Sequence, residues 1–399
     1  MNKKTIFIAV GMALSPLTYA ALYNITGTDY FVNGMPANLS VKEKSKLVAT
    51  SIVKTDAAIS AGKYKPVTTV AAKAKIKELI VAETKPATFM PAVDISKNML
   101  PVKGFDTLRI QPTTELSPSR PAPSGGEFRI NCKVSHMNND DPLLYPNQEG
   151  AAHHHTYFGN TSVNYKSDVT NFGATGNSTC GGGIMNRSAY WVPSMINTLT
   201  NAPIQPNGDV LVYYKSGGID AALIKAPPKG LRVIAGDMKA KDNSVFNHAE
   251  YTCHPGANSK RTNWPKTMEI PSGAACEPGD DLMFSIGFPQ CWDGKNLDSP
   301  NHKDHMAYPH DRSCPATHPI PIPEIGVNVH FIVKETDDLT KWRLSSDNYP
   351  FNGKNAGYSG HSDYVEGWDR GLIEGIVKNC INERKDCHAH LLGDGRMMY

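Results

Sequence analysis

The stretch Phe128-Arg-Ile-Asn-Cys-Lys-Val134 alternates apolar with polar side chains. Because successive side chains of a β-strand point to opposite faces, this period of two predicts a strand with one buried face. Four further runs have the same character: Val210–Tyr214, Leu231–Ala235, Leu282–Phe288 and Ile325–Val333. Long polar loops separate these runs, as is typical of domains built from short strands.

Only one segment has a clearly helical pattern. In Arg370–Ile381, the apolar residues Leu372, Ile373, Ile376 and Val377 fall on one face of a helix. The chain shows neither an internal repeat nor a regular alternation of helices with strands. We therefore predict a mainly β fold, with α+β as the alternative: a β-sandwich-like domain with long loops and a C-terminal helix.

The N-terminus has the order of features of a secretory signal peptide. Lys3 and Lys4 precede the apolar run Ile6–Leu14, and the sequence Thr18-Tyr-Ala20 follows it. The apolar run is about half of the ~20 residues that a membrane span needs, and no later stretch is long enough. We expect cleavage after Ala20 and a secreted or periplasmic protein without a membrane span.

The composition changes near residue 126. All 14 histidines, all five tryptophans and all eight cysteines follow that point. The predicted parts of the chain are a signal peptide at 1–20, a Lys/Ala-rich segment of helical or disordered character at 21–110, a Pro-rich linker at 111–126 and a cysteine-rich domain at 127–399. With 41 Lys and Arg against 38 Asp and Glu, the charge is too balanced for a dedicated nucleic-acid binder.

The eight cysteines are even in number and predict up to four disulfides in an oxidising compartment. The sequence leaves their pairing open. We expect the local closures Cys253–Cys276, Cys291–Cys314 and Cys380–Cys387. No Cys-x-x-Cys pair occurs, which disfavours a thioredoxin-like centre and a four-cysteine zinc site.

Three polar stretches contain the residue types of a chemical site. In the run His153-His154-His155, an extended backbone would point His153 and His155 to the same face. Two such imidazoles can bind a metal ion or transfer a proton. The stretch Trp292–Tyr308 combines aspartates with histidines, and His361 lies two residues before Asp363.

Carboxylates beside histidines form metal sites or general acid–base pairs. The candidate catalytic residues are Asp293, Asp298, His305 and Asp363. The candidate ligands of a divalent metal ion, with zinc, manganese or iron favoured by nitrogen and oxygen donors, are His153, His155, His302 and His361. The alternative is structural: the aspartates of the loop make Asx turns, and Asp369 caps the C-terminal helix.

Aromatic residues near these stretches could line a glycan-binding cleft, because their rings combine an apolar face with a polar tip. The candidates are Tyr190, Trp191, Trp292 and Trp368. The alternative is that the same residues belong to the hydrophobic core.

These stretches resemble the DUF1996 family of secreted proteins from fungi and bacteria, over about residues 127–380. The matching motifs are Asp141-Pro142 with His153 and His155, Ser188–Pro193, Leu231–Gly236, Cys291–Tyr308, Cys314-Pro315 with His318-Pro319, and His361–Asp369. The run Cys291–Tyr308 is the most specific. In this chain His154 replaces a usually apolar residue, and Ser362 replaces a common glycine. The resemblance implies a secreted, disulfide-bearing domain and no particular reaction.

Several catalytic motifs are absent from the sequence: the Gly-x-Ser-x-Gly elbow, the His-Glu-x-x-His helix, the Walker loop and the dinucleotide fingerprint. Lipases, zincin proteases and nucleotide-dependent enzymes are therefore disfavoured. The leading expectation is a hydrolase that acts on extracellular polysaccharide. The alternative is a non-catalytic module that binds glycan or cell wall and that could itself bind a metal.

Overall fold

The computed structural model divides the chain into two units, Met1–Ala87 and Thr88–Tyr399. The described residues are 89–120, 125–353, 356–388 and 390–399, together with the backbone of two strands in the first unit. Those strands, β1 (Thr18–Ile25) and β2 (Thr28–Pro36), pair antiparallel. The rest of the predicted signal peptide and most of the predicted segment 21–110 lie outside the described residues.

The second unit contains the other strands. In chain order they begin with β3 (Leu108–Pro112), β4 (Glu127–Cys132), β5 (Val134–Asn138), β6 (His155–Gly159), β7 (Gly182–Gly183), β8 (Ala189–Pro193), β9 (Met195–Asn197), β10 (Ala202–Pro203), β11 (Val210–Lys215) and β12 (Arg232–Gly236). They continue with β13 (Ala249–His254), β14 (Asp281–Gly287), β15 (Cys291–Trp292), β16 (Met306–Ala307), β17 (Ile320–Pro321), β18 (Glu324–Ile332), β19 (Trp342–Leu344), β20 (His361–Val365), β21 (Asp386–Cys387) and β22 (Arg396–Met398).

Two sheets form the body of the second unit. The larger has the strand order β13-β14-β18-β11-β4-β21, and the smaller has the order β12-β20-β8-β6-β5. Neighbouring strands are antiparallel except for β21 and β4. The five strands expected from alternation are present, with ends within two residues of the predicted ones. The predicted mainly β fold is confirmed.

Helical structure in the described residues is short. Helix α1 (Arg370–Ile376) continues into a π-helical turn, Val377–Asn382, and the apolar face expected from the sequence is buried. The carboxylate of Asp369 accepts a hydrogen bond from the Leu372 N–H at 3.0 Å, so Asp369 is the N-cap. The 3-10 turns are Ile95–Lys97, Phe172–Ala174, Ala221–Leu223, Gly273–Ala275 and Leu339–Lys341.

The two sheets share one hydrophobic core. Phe128 and Tyr214 face it from the larger sheet, and Tyr190 and Tyr364 face it from the smaller sheet. The hydroxyls of Tyr190 and Tyr214 lie 2.5 Å apart, and the indole N–H of Trp368 donates to the Tyr214 hydroxyl at 2.9 Å. These bonds satisfy the polar tips of buried rings and connect one sheet to the other.

The compact unit begins at Thr88, earlier than the predicted domain boundary at residue 127. Strand β3 pairs with β22 and with β7, so part of the predicted linker 111–126 belongs to a small sheet. Pro112 is tolerated because it is the last residue of β3, where its missing N–H interrupts no ladder beyond it. Residues 121–124 lie outside the described residues.

Four disulfides cross-link this unit. Three are the local closures expected from the sequence, Cys253–Cys276, Cys291–Cys314 and Cys380–Cys387, and that expectation is confirmed. The fourth, Cys132–Cys180, joins the end of β4 to a residue 48 positions later in the chain. Among the described residues no cysteine is free, so none offers a thiolate to a ligand.

Replacing Tyr214 with phenylalanine tests the hydrogen bonds between the sheets. The substitution leaves the Tyr190 hydroxyl and the Trp368 N–H buried without their shared partner, so we expect a loss of about 1–3 kcal/mol in the free energy of unfolding. Urea denaturation measures it. The control is Tyr213→Phe, at the neighbouring and only partly buried position of the same strand. An equal loss in both variants would contradict this explanation.

Candidate functional site

The outer face of the smaller sheet carries polar side chains. On β20, His361 and Asp363 alternate with Ser362 and Tyr364, and Tyr364 belongs to the core between the sheets. Side chains two residues apart share a face of a strand, so His361 and Asp363 both point away from the larger sheet. The same alternation directs His155 of β6 outward, next to Tyr157, which packs in a separate outer cluster.

Three histidines meet on this outer face. The ligand nitrogens of His153, His155 and His361 all lie within 4.8 Å of one another. The Nε2 atoms of His153 and His361 are 3.1 Å apart. His155 and His361 are only 0% and 2% exposed, whereas His153 remains partly exposed. His153 is therefore the histidine of this group that solvent reaches.

Backbone carbonyls orient the two buried imidazoles. His155 Nδ1 lies 2.8 Å from the Asp140 carbonyl oxygen, and His361 Nδ1 lies 2.8 Å from the Ser359 carbonyl oxygen. A carbonyl only accepts hydrogen bonds, so Nδ1 of each ring carries the proton and Nε2 carries the lone pair. The His155 Nε2 is buried and has no hydrogen-bond partner in the structure.

Two carboxylates adjoin the histidines. Oxygens of Asp141 and Asp363 lie within 4.8 Å of each other and of His155. Asp141 accepts hydrogen bonds from the N–H groups of Leu143 and Leu144, each at 2.9 Å. Asp363, which is 1% exposed, has no hydrogen-bond partner on either carboxylate oxygen. We call His153, His155, His361, Asp141 and Asp363 the His–Asp cluster.

Burial shifts the titration of every member of the cluster. It lowers the pKa of His155 to about 4 and of His361 to about 3, and it holds the pKa of His153 well below its usual range. Burial raises the pKa of Asp141 to about 6. Burial, reinforced by the charge of Asp141, raises the pKa of Asp363 well above its ordinary value. The imidazoles are thus neutral at pH 7.

A cavity of about 500 Å³ opens beside the cluster, and His153 forms part of its wall. The other polar residues lining it are Tyr145, Lys239, Lys241, Ser346 and Asn348. A second cavity of about 480 Å³ shares the segment 239–241 as part of its lining. A ligand in the first cavity would contact the cluster through His153.

The structure brings together four of the residues singled out by sequence: His153, His155, His361 and Asp363. The loop candidates do not join them. Asp293 accepts hydrogen bonds from the N–H groups of Lys295 and Asn296, as in an Asx turn.

The other loop candidates bond within the loop or to the neighbouring strand. His302 Nδ1 lies 2.9 Å from an Asp298 oxygen, and His305 Nε2 lies 2.6 Å from the Arg232 carbonyl oxygen. The Lys303 amine donates to the Gly236 carbonyl oxygen at 2.6 Å, which fixes the loop along β12. Asp298, His302 and His305 thus have partners within the loop and along β12, and none of them belongs to the groups of donor atoms that form the cluster.

The aromatic candidates lie largely in the interior. Tyr190 and Trp191 are 0% exposed, and Trp368 is 3% exposed. They pack in the core clusters, as the structural alternative expected. Trp292 is partly exposed, and its indole N–H donates to the Asn296 carbonyl oxygen at 2.6 Å within the loop. None of these four residues lines either cavity beside the segment 239–241.

Asp141 is the cluster member to which the sequence analysis gave no role. The available signal was its place at the start of the polar stretch that ends in the histidines. An aspartate followed by a proline is also typical of a turn, so the sequence supports a purely structural role for Asp141 equally well.

The fold and the cluster together define a disulfide-linked β-sandwich domain with a His–Asp centre on the outer face of one sheet. The family model described as "Domain of unknown function (DUF1996)" matches residues 141–368. The chain belongs to this family, which confirms the predicted resemblance. The matched range contains the whole His–Asp cluster. Neither a curated protein nor a solved structure shows significant similarity to this chain.

His136, at the edge of the same outer face, provides a test of acid sensitivity. Burial lowers its pKa, so the unfolded chain takes up this proton before the folded chain as the pH falls. The contribution of neutral His136 to the free energy of unfolding is therefore complete above about pH 6.5, the ordinary pKa of histidine, and is lost as the pH falls below that value. We expect His136→Gln to unfold with a shallower acid dependence than the wild type, by urea titration between pH 7.5 and 5. Parallel pH profiles would contradict this expectation.

Proposed function

We propose that this protein is an exported hydrolase that acts on extracellular polysaccharide, with the His–Asp cluster as its reaction centre. The observation that carries the proposal is the position of His153, which belongs to the cluster and also lines a cavity of about 500 Å³. Titratable groups with shifted pKa values beside a cavity are typical of active sites.

Export is supported by two independent features. The N-terminal sequence predicts a signal peptide, and the four disulfides need an oxidising compartment to persist. Among the described residues, no helix has the length and apolar character required to cross a bilayer. Polysaccharides are abundant substrates outside the cell, and a cavity lined by hydroxyl, amide and amine groups suits their hydroxyls.

The cluster offers the chemistry that hydrolysis requires. Cleavage of a glycosidic bond needs an activated water and a group that protonates the leaving oxygen. The cluster contains neutral imidazoles and carboxyl groups whose pKa values are raised, as a proton donor requires. Asp141 and Asp363 are both buried, so a sugar ring in the cavity does not reach between them. The scissile bond would therefore lie in the cavity, next to His153.

A panel of polysaccharides tests the proposal with two measurements, release of reducing ends and retention of the protein on the insoluble glycan. We expect wild-type protein to release reducing ends from at least one member. His153→Ala should lower that rate by about 100-fold or more. The matched control is His310→Ala, because the His310 side chain is 89% exposed and pairs with Asp311, which is not a cluster residue.

The same experiment addresses the alternative of a non-catalytic module. Retention on glycan without product, across the panel, would reject the hydrolase and favour the binding module. An equal rate for His153→Ala and the wild type would show that the His–Asp cluster is not the reaction centre.

A further inference from the structure

We propose that the His–Asp cluster is a binding site for one divalent transition-metal ion, best matched by zinc, with the Nε2 atoms of His153, His155 and His361 as ligands and Asp363 beside them. The inference extends the proposed function by naming a cofactor. It rests on that function only for what the ion does, because metal content is measured without an activity assay.

The first argument is geometric. Two nitrogens that each lie 2.0–2.1 Å from a tetrahedral zinc ion are about 3.3 Å apart. The Nε2 atoms of His153 and His361 are 3.1 Å apart, and His155 completes a set of three nitrogens within 4.8 Å.

The second argument is the orientation of the buried rings. Metal-ligating histidines usually donate their other N–H to a carbonyl or a carboxylate, which fixes the lone pair on the metal side. His155 and His361 do so through the carbonyl oxygens of Asp140 and Ser359. The His155 Nε2 is left buried and unpartnered, which is rare for a polar atom in a folded protein.

The third argument is the unsatisfied carboxylate. Asp363 is buried to 99%, and neither of its oxygens has a hydrogen-bond partner. A buried carboxyl group without a partner either keeps its proton or requires a nearby positive charge to ionise. Asp141 lies within 4.8 Å and adds negative charge, so the need for a cation is greater still. A divalent ion at the three histidines would supply that charge.

The donor atoms select the kind of ion. Magnesium and calcium prefer oxygen ligands throughout, which three imidazoles do not provide. All cysteines of the described residues are in disulfides, so soft thiolate ligation is excluded there. Three histidines with an open position are a known catalytic zinc arrangement, and His153 faces the cavity from which water would enter. An ion at this position would lower the pKa of a bound water.

The described residues contain two other groups of possible metal ligands, and in these groups the donor atoms already have protein partners. In the first, Glu127 is paired with Arg120 at 2.5 Å and with His388 at 3.0 Å. In the second, the two cysteines form a disulfide and Asp280 is paired with Arg261 at 2.6 Å. Their donor atoms already have partners, whereas the His–Asp cluster has donors without partners.

Metal content of the untagged, disulfide-intact protein tests the inference. After chelation, incubation with zinc chloride and gel filtration, we expect about one zinc per chain by elemental analysis. The double variant H155A/H361A should retain at least tenfold less. His310→Ala should retain the wild-type content. Substoichiometric zinc in the reconstituted wild type, or full retention in the double variant, would overturn the inference.

Two further measurements complete the test. His302→Ala examines the ligand expected from sequence: we expect full zinc content, and loss of the metal would overturn the ligand set proposed here. If H155A/H361A does not fold, the wild type decides alone. Zinc at a hundredfold excess over its dissociation constant should raise the melting temperature by about 5 °C relative to chelated protein. No rise would reject the site.

The outcomes for the metal and for the hydrolase are separable. One zinc per chain without release of reducing ends supports the metal site and rejects the hydrolase. Hydrolysis by a protein that binds no zinc supports the hydrolase and rejects the metal site.

Discussion

The packing of the two large sheets against each other is the constraint on which the rest of this structure depends. Tyr190 and Tyr364 must turn inward to join Phe128 and Tyr214 in the shared core. Because side chains of a strand alternate, this burial obliges the neighbouring residues to turn outward. The site on the outer face is thus a consequence of the core. A shift of β20 by one residue would exchange the positions of Tyr364 and Asp363, and it would disrupt both the core and the His–Asp cluster.

The outer face is itself buried, which is unusual for one side of an antiparallel sheet. A second hydrophobic cluster covers it, built from Leu143, Val163 and Phe172 of the loops and from Tyr157 and Trp191 of the strands. These loops remove water from around His155, His361 and Asp363, and that burial causes the large pKa shifts of the cluster. His153 is less covered than the other members of the cluster and lines the cavity.

The loop from Cys291 to Cys314 shows that a high density of polar residues can also hold a long loop in place. Its aspartates and histidines have the composition of a catalytic centre, yet they bond to loop backbone, to one another or to the carbonyl groups of β12. A long loop with little regular structure must satisfy most of its polar backbone groups locally, and short polar side chains do this well. The disulfide Cys291–Cys314 closes the same loop.

The sequence alone determined the fold class, because alternation and helical periodicity are local patterns that burial imposes on each element. It also indicated three of the four disulfides, which close short segments, and the proximity of His153 to His155, although only His155 lies on a strand. Only the tertiary structure decided that His361 and Asp363 meet these histidines, more than 200 positions away in the chain. Contacts between distant strands follow from strand order and register, which a single sequence does not specify. For the same reason the sequence could not separate Trp191, buried on the outer face, from Trp292 in a partly exposed loop.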